Sequence, residues 1–265
     1  MSAAPEVLIA SSPDDAATLF GDGSGITVIA GGTVVLPEIT YGRLSPERVL
    51  MLSGAGLDTH TVADGIVTLG AGLPISALAG LTGTVTGLAA CALNLADNEI
   101  RAQGTVGGNL CVGHGLDAPR GDLQGPLLAL DATVRSTGAG GERSEPVEDF
   151  LGHRDGRLVL EVSFEVPAAS SFAALDYPHT HEYTVLAVTG VLAADGTVRL
   201  AATGLAGTGA RLRAAEAVAD DPAAAGAAAL DDVTFGDDAL ASAWYRGKTL
   251  PVLVRRVLTD LKEPA

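Results

Sequence analysis

Two glycine-rich runs are the residues of this chain best suited to binding chemistry. The first, residues 30–33, reads AGGT and directly follows the apolar stretch Ile26–Ile29. The second, residues 100–109, reads IRAQGTVGGN. Glycine lets successive N–H groups turn toward one point, and an anion can approach it without meeting a Cβ atom. Two such runs predict a ligand with more than one phosphate, held from two sides, and a dinucleotide fits that description.

A Rossmann-type nucleotide site is the first alternative, and it fits less well. Gly207-Thr208-Gly209 lies between a predicted strand and a predicted helix, but Leu212 occupies the third glycine position of that fingerprint. No acidic residue follows in a convincing context about 20 residues later. We interpret the run as a turn before a helix cap.

Catalytic and metal-binding groups are sparse in the sequence. His179 and His181 form an H-x-H pair without a third ligand nearby, so no metal site is predicted. The carboxylates are scattered, and no Ser–His–Asp or Cys–His arrangement is supported by local context. We therefore predict no catalytic residue on this chain.

Asp122 is the most informative carboxylate, because it follows the second glycine run and precedes the apolar residues 127–130. An aspartate there can accept hydrogen bonds from a ribose or from a loop amide. It can equally cap the helix that begins nearby. Spacing leaves these two interpretations even.

Composition excludes several classes of function. The 265 residues include 16 Lys and Arg against 32 Asp and Glu, for a net charge of −16. This field would repel nucleic acid and anionic membranes. Cys91 and Cys111 are the only cysteines, too few for the usual four-cysteine iron–sulfur cluster. No stretch approaches the roughly 20 apolar residues of a membrane span, and no signal peptide is recognisable, so we expect a cytoplasmic protein.

The elements that must position these groups alternate between strands and helices, and they predict an α+β chain in three segments: about 1–55, 56–168 and 169–265. Ser12 is the predicted cap of the first helix, with Pro13 in its first turn, and Asp195-Gly196 is a predicted hairpin turn. Strands are predicted at 27–29, 159–166 and 183–192, a short element at 34–41, helices from 75, at 85–98, 211–219 and 238–261, and a solvated connection or loose helix at 222–229.

The motifs taken together resemble a known family. AGGT, IRxxGTxGGNL, an Asp and LLALDA, in this order, are similar to the FAD-binding medium subunit of the molybdenum hydroxylases, which include carbon monoxide dehydrogenase and xanthine dehydrogenase. The likeness covers most of the chain and ends with ASAWYR at 241–246, followed by LVRR at 253–256. It implies a two-part FAD-binding domain of the PCMH/vanillyl-alcohol-oxidase type over 1–168, followed by a smaller α/β domain over 169–265.

The resemblance also implies roles for individual residues. The first loop would hold the FAD pyrophosphate through backbone amides, and the second would surround the diphosphate and ribityl chain. Asp122 matches a nucleotide-contacting aspartate, Leu160 an apolar residue near the adenine, and Tyr183 an aromatic residue against the isoalloxazine ring. The implied cofactor-binding residues are Ala30, Gly31, Gly32, Thr33, Val34, Thr105, Gly107, Gly108, Asn109, Asp122, Leu160 and Tyr183.

Three departures from the family pattern stand out. Val34 replaces a residue that is often polar, and the gap between GGN and Asp122 is a few residues longer. Leu175 stands where the family has a lysine near the flavin. Loss of that cation would change the redox potential of the flavin or weaken its binding.

By resemblance, the chain transfers electrons within a complex. A large subunit would carry the molybdenum cofactor, a small subunit the 2Fe–2S clusters, and the assembly would be a dimer of heterotrimers. The sequence names neither the hydroxylated substrate nor the electron acceptor, which could be NAD, quinone, oxygen or a carrier protein. A stand-alone FAD-dependent oxidoreductase and a structural subunit that has lost FAD remain the alternatives.

Overall fold

The computed structural model describes residues 4–113, 121–175 and 184–262. The mixture of helices and sheets expected from the sequence is confirmed. The elements before residue 113 are β1 (Glu6–Ile9), α1 (Pro13–Phe20), β2 (Ile26–Ile29), α2 (Val35–Thr40), β3 (Arg48–Met51), β4 (His60–Ala63), β5 (Ile66–Gly70), a 3₁₀ helix (Ile75–Leu81), α3 (Thr86–Asn94), α4 (Asn98–Gln103) and α5 (Val106–Leu110). Those after residue 121 are α6 (Gln124–Ala129), β6 (Thr133–Gly138), β7 (Arg143–Pro146), α7 (Val147–Gly152), β8 (Arg157–Glu165), β9 (Ala169–Leu175), β10 (Leu186–Leu192), β11 (Val198–Thr203), β12 (Ala210–Arg211), α8 (Arg213–Glu216), α9 (Pro222–Ala228), a 3₁₀ helix (Ala229–Asp231) and α10 (Ala243–Lys262).

Contacts divide the chain into two compact units, each assembled from several stretches. Unit 1 comprises residues 1–75, 99–108 and 133–164, and unit 2 comprises 76–98, 109–132 and 165–265. The second glycine run crosses from unit 1 to unit 2 between Gly108 and Asn109.

Unit 1 contains two sheets. Strands β1, β3 and β2 form a parallel sheet in that order, and β4, β5, β8, β6 and β7 form a second sheet. Leu50 of β3 is fully buried in a core with Phe20 of α1 and Leu158 and Leu160 of β8. Because β2 and β3 are parallel, the loops that follow them leave the sheet at the same edge. The first glycine run is one of these two loops.

Unit 2 is built around the antiparallel sheet β12-β11-β10-β9. Ser171 of β9 donates a hydrogen bond to Asp260 of α10, whereas its neighbour Ser170 accepts one from the N–H of Gly87 in α3. Successive strand residues point to opposite faces, so α3 and α10 cover opposite faces of this sheet. At Gly190 of β10, α10 lies so close that a Cβ atom would overlap Val257.

Several local predictions are confirmed. The hydroxyl of Ser12 accepts the N–H of Asp15 at 3.1 Å, and Pro13 opens α1. Asp195 and Gly196 lie in the turn between β10 and β11. The run 207–209 lies at a bend as expected, but the strand β12 and not a helix cap follows it. The Ala-rich stretch forms a helix, α9, whose N-terminus is capped by the Asp221 carboxylate.

Three predicted helices are wrong in extent. The helix predicted over 211–219 is only the four residues Arg213–Glu216, since Ala210–Arg211 form β12. The helix predicted over 85–98 is interrupted, because Leu95 is extended and Ala96 has a φ of 44°. The helix predicted from Asp238 begins at Ala243, because the Asp238 carboxylate instead accepts backbone N–H groups of its own loop and the guanidinium of Arg246. The strand predicted from Tyr183 begins at Leu186 among the described residues.

Candidate functional site

The first glycine loop connects β2 to α2 with its amides open. No acceptor in the described part of the chain takes the N–H groups of its five residues, and the first amide to form a helical bond is that of Leu36, with the Gly32 carbonyl at 3.0 Å. All five are partly exposed. A run of open N–H groups is a binding site for an anion. These residues are Ala30, Gly31, Gly32, Thr33 and Val34.

The two glycine loops lie against each other within unit 1. A Cβ atom on Gly31 would overlap the backbone carbonyl of Gln103, and one on Gly104 would be 3.7 Å from the Thr33 hydroxyl. Gly32 has a φ of 74°, which other residues rarely adopt. Glycine is therefore required at 31 by the packing of one loop on the other, and at 32 by the turn itself.

The second loop uses its amides internally. Val106 N–H donates to the Leu73 carbonyl at 3.0 Å, and Gly107 N–H to the Ala71 carbonyl at 2.8 Å. Gly108 N–H donates to the Thr105 hydroxyl oxygen at 3.1 Å. The expectation that both loops turn their amides toward a ligand is thus wrong for Gly107 and Gly108, whose N–H groups are bonded within the protein.

Thr105 keeps one donor. Its hydroxyl oxygen accepts from Gly108, and no acceptor among the described residues takes the hydroxyl proton. The residue is 8% exposed. The hydroxyl proton of Thr105 can therefore be donated to a ligand in the adjoining cleft.

That cleft, of about 50 Å³, lies beside the first loop and is contained in unit 1. Besides Ala30 and Thr105, residues of the loop that follows β3 line this cleft. The sequence analysis did not identify that loop as part of a site. Parallel pairing of β2 and β3 explains the juxtaposition, and the only local signal was the glycine-containing turn at residues 53–56. The lining residues are Ala30, Leu52, Ser53, Gly56, Leu57, Asp58, Gly72 and Thr105.

Asn109 and Asp122 belong to unit 2. The Asn109 side-chain oxygen accepts the N–H of Leu123 at 2.8 Å, next to Asp122 in sequence. Asp122 is 6% exposed, and its backbone carbonyl accepts the Cys91 thiol at 3.5 Å. The N-cap residue of α6 is Leu123, without a side-chain capping bond. Asp122 is therefore not the cap residue of this helix.

Cys91 behaves as a buried apolar residue, as expected. Burial, together with the negative charge of Asp122, raises the pKa of its thiol well above the usual value. The thiol is neutral at physiological pH and is a poor nucleophile.

The remaining predicted residues are not gathered at the cleft. Leu160 lies in the unit 1 core and is 3% exposed. Leu175 ends β9 and packs against the apolar core of unit 2. Tyr183, the pair His179 and His181, and most of the long insertion before Asp122 lie outside the described residues. The roles expected for Leu160 and Tyr183 stay predictions.

The donors present suit a nucleotide diphosphate. Backbone amides and a threonine hydroxyl are neutral hydrogen-bond donors that phosphate oxygens accept, and a Cβ-free loop allows close approach. Within the described ranges, no group of three or more His, Cys, Asp or Glu residues is placed to hold a metal ion. None of the described helices is long and apolar enough to cross a bilayer.

Comparison with known proteins identifies relatives over most of the chain. Residues 3–168 match the family described as "FAD binding domain in molybdopterin dehydrogenase". The alpha subunit of the 6-hydroxypseudooxynicotine dehydrogenase complex of Paenarthrobacter nicotinovorans is 28% identical over 280 aligned positions, covering 96% of this chain and 93% of that protein. The carbon monoxide dehydrogenase medium chain of Hydrogenophaga pseudoflava is 29% identical over 53% of this chain and 49% of its own length.

Solved structures share the fold. A Cu,Mo-containing carbon monoxide dehydrogenase in its cyanide-inactivated form is 25% identical with a TM-score of 0.87, and each chain is covered completely. Reconstituted carbon monoxide dehydrogenase from Oligotropha carboxidovorans gives 24% and 0.87, again over the whole of both chains. With the family match extending over more than half of its length, the chain belongs to the FAD-binding subunits of the molybdopterin dehydrogenases.

Proposed function

We propose that this chain is the electron-transfer subunit of a molybdenum hydroxylase. It would receive electrons from the 2Fe–2S clusters of a small partner subunit, which draws them from the molybdenum cofactor of a large subunit. An external acceptor would then be reduced. The order follows from the family, and the acidic chain with two cysteines is consistent with clusters housed on another polypeptide.

The observation that carries this proposal is the run of five open amides beside the Thr105 hydroxyl. These uncharged groups can donate hydrogen bonds to the oxygens of a diphosphate. The cleft they border holds Ser53 and Asp58 as its other polar side chains.

FAD, when bound, supplies the redox chemistry, and the protein supplies binding, orientation and electrostatics. In our proposal the first loop and Thr105 hold the diphosphate. Asn109 and Asp122 contact the ribityl and ribose hydroxyls, Leu160 lies near the adenine, and Tyr183 lies against the isoalloxazine ring. Leu175, in place of a lysine, removes a cation that would stabilise an anionic reduced flavin.

The finer organisation is part of the same proposal. The FAD-binding domain would span 1–168, with subdomains of about 1–55 and 56–168, and a C-terminal domain 169–265. The complex would be a cytoplasmic dimer of heterotrimers. Its substrate would be selected by the large subunit.

Purification of the chain, alone and with its neighbouring gene products, tests the proposal. We expect flavin absorbance bands from the chain alone or after addition of FAD, and co-purification of molybdenum- and iron-containing subunits. A colourless chain that does not bind added FAD would favour the alternative of a structural subunit that has lost FAD. A flavoprotein that oxidises a substrate without partners would favour the stand-alone oxidoreductase.

A further inference from the structure

A buried amide side chain connects three separate stretches of unit 2. Gln124, the first residue of α6, is 3% exposed. Its nitrogen donates to the carbonyls of Leu110 at 3.0 Å and Val112 at 3.2 Å, and its oxygen accepts the N–H of Gly209 at 2.9 Å. One side chain therefore bonds to three backbone groups from two other stretches of the chain.

The cross-link is reciprocal. While Gln124 holds the backbone just after Asn109, the Asn109 side chain holds the backbone N–H of Leu123, just before Gln124. The packing around this side chain is close, since a Cβ atom on Gly121 would meet the end of the Gln124 side chain and one on Gly209 would lie 3.0 Å from its Cβ. Two side-chain amides thus fix the stretches 109–112 and 121–124 against each other.

We propose that Gln124 is a positioning residue for FAD binding, acting through Asn109 and Asp122. The inference rests on the proposed function, in which these two residues contact the cofactor. Gln124 itself need not touch FAD. Its role is to hold two segments, separated in sequence by residues 113–120, in one geometry before the cofactor arrives, so that binding does not have to order them.

The geometry distinguishes this role from ordinary packing. Gln124→Leu keeps about the same volume but removes the three hydrogen bonds that the amide makes to Leu110, Val112 and Gly209. Gln124→Glu keeps the acceptor for Gly209 but turns a carboxylate oxygen toward two carbonyl oxygens. When that carboxyl is protonated, its O–H can donate to the Leu110 carbonyl again.

FAD titration of the purified chain tests the proposal, with Kd measured by flavin fluorescence. We expect Gln124→Leu to raise Kd about tenfold in the natural background and about threefold when Asp122 is already alanine, because coupled sites are not additive and the route through Asn109 remains. Gln124→Glu should weaken binding at pH 8 and recover toward the natural Kd at pH 5.5. Ser171→Ala is the control, since it breaks a different side-chain cross-link in unit 2 and should leave Kd unchanged.

Equal losses in both backgrounds, or a natural Kd in the Gln124 variants, would overturn the positioning role. The role would also be overturned if the loss of FAD affinity in Gln124→Glu, measured against the natural chain, were the same at pH 8 and at pH 5.5. If Gln124→Leu does not fold, the pH dependence of Gln124→Glu decides the question. Failure of the unaltered chain to bind FAD refutes the proposed function instead, so the two failures are distinguishable.

Discussion

The two glycine loops of unit 1 are rich in the same residue and differ in what their backbones do. In residues 30–34 the amides are open and the loop ends at a helix. In residues 104–108 the amides of Gly104, Val106, Gly107 and Gly108 all have protein acceptors. The first loop offers backbone N–H donors to a ligand. The second loop uses most of its N–H groups within the protein and contributes the Thr105 hydroxyl.

Glycine has a different physical purpose in each loop. At Gly31 and Gly107 the missing Cβ atom permits close contact with neighbouring backbone, namely Gln103 and Ala71. Gly107 is therefore needed for folding whether or not a ligand binds. A glycine-rich motif identifies backbone that is closely packed. Whether its N–H groups are available to a ligand depends on whether they already have acceptors within the protein.

The largest effect is expected from Gly31→Ala. The added Cβ would collide with the Gln103 carbonyl and separate the two loops, so we expect FAD affinity to fall by about 100-fold or more, equivalent to about 2.7 kcal/mol. Flavin retention on gel filtration and an FAD titration measure this. Gly152→Ala, in open space in the same unit, is the control, and equal retention by both variants would contradict the contact.

Gly107→Val should act mainly on folding. Its Cβ would lie 2.7 Å from the Ala71 Cβ, and overpacking of this kind costs about 1–3 kcal/mol. We expect the melting temperature of the FAD-free chain to fall and flavin to be lost as a consequence. In the smaller variant Gly107→Ala, the second change Ala71→Gly should partly restore the melting temperature, because it removes the Cβ atom that the new Cβ would meet. A fully yellow Gly107→Val protein of unaltered stability would show that the loop is misassigned.

Removal of the Thr105 hydroxyl should have an intermediate effect. Thr105→Val leaves the Gly108 N–H without its acceptor and removes one donor from the cleft, and each lost hydrogen bond is worth about 1 kcal/mol. We expect roughly tenfold weaker FAD binding, with Thr105→Ser close to the natural chain. Isothermal titration with FAD checks this, and an unaltered Kd in Thr105→Val would place the cofactor elsewhere.

Asp122→Ala should give the smallest loss, about three- to tenfold in FAD Kd. The carboxylate contributes hydrogen bonds to the nucleotide in our proposal, but the first loop still holds the diphosphate. Asp122→Asn should retain part of the affinity. Cys91 should stay unreactive toward thiol reagents in both variants, since burial is the main cause of its raised pKa. Rapid labelling of Cys91 in folded protein would contradict that explanation.

Local sequence patterns predicted much of the fold. The Ser12 cap and the Asp195-Gly196 turn depend on neighbours within a few residues, and both formed as expected. The break at Ala96 and the late start of α10 were missed. The second depends on the Asp238 carboxylate, whose contact with the buried Arg246 forms only when the surrounding loop is folded.

The sequence by itself identified two Cβ-poor runs, in a fixed order with Asp122, as the residues predicted to hold a nucleotide. Tertiary structure alone decided which amides stay open, because Ala71 and Leu73 supply carbonyls to the second loop from more than 30 residues away. It also decided that the residues after β3 line the cleft, since parallel pairing of β2 and β3 is a long-range property. Hydrogen-bond partners distant along the chain leave no trace in local spacing.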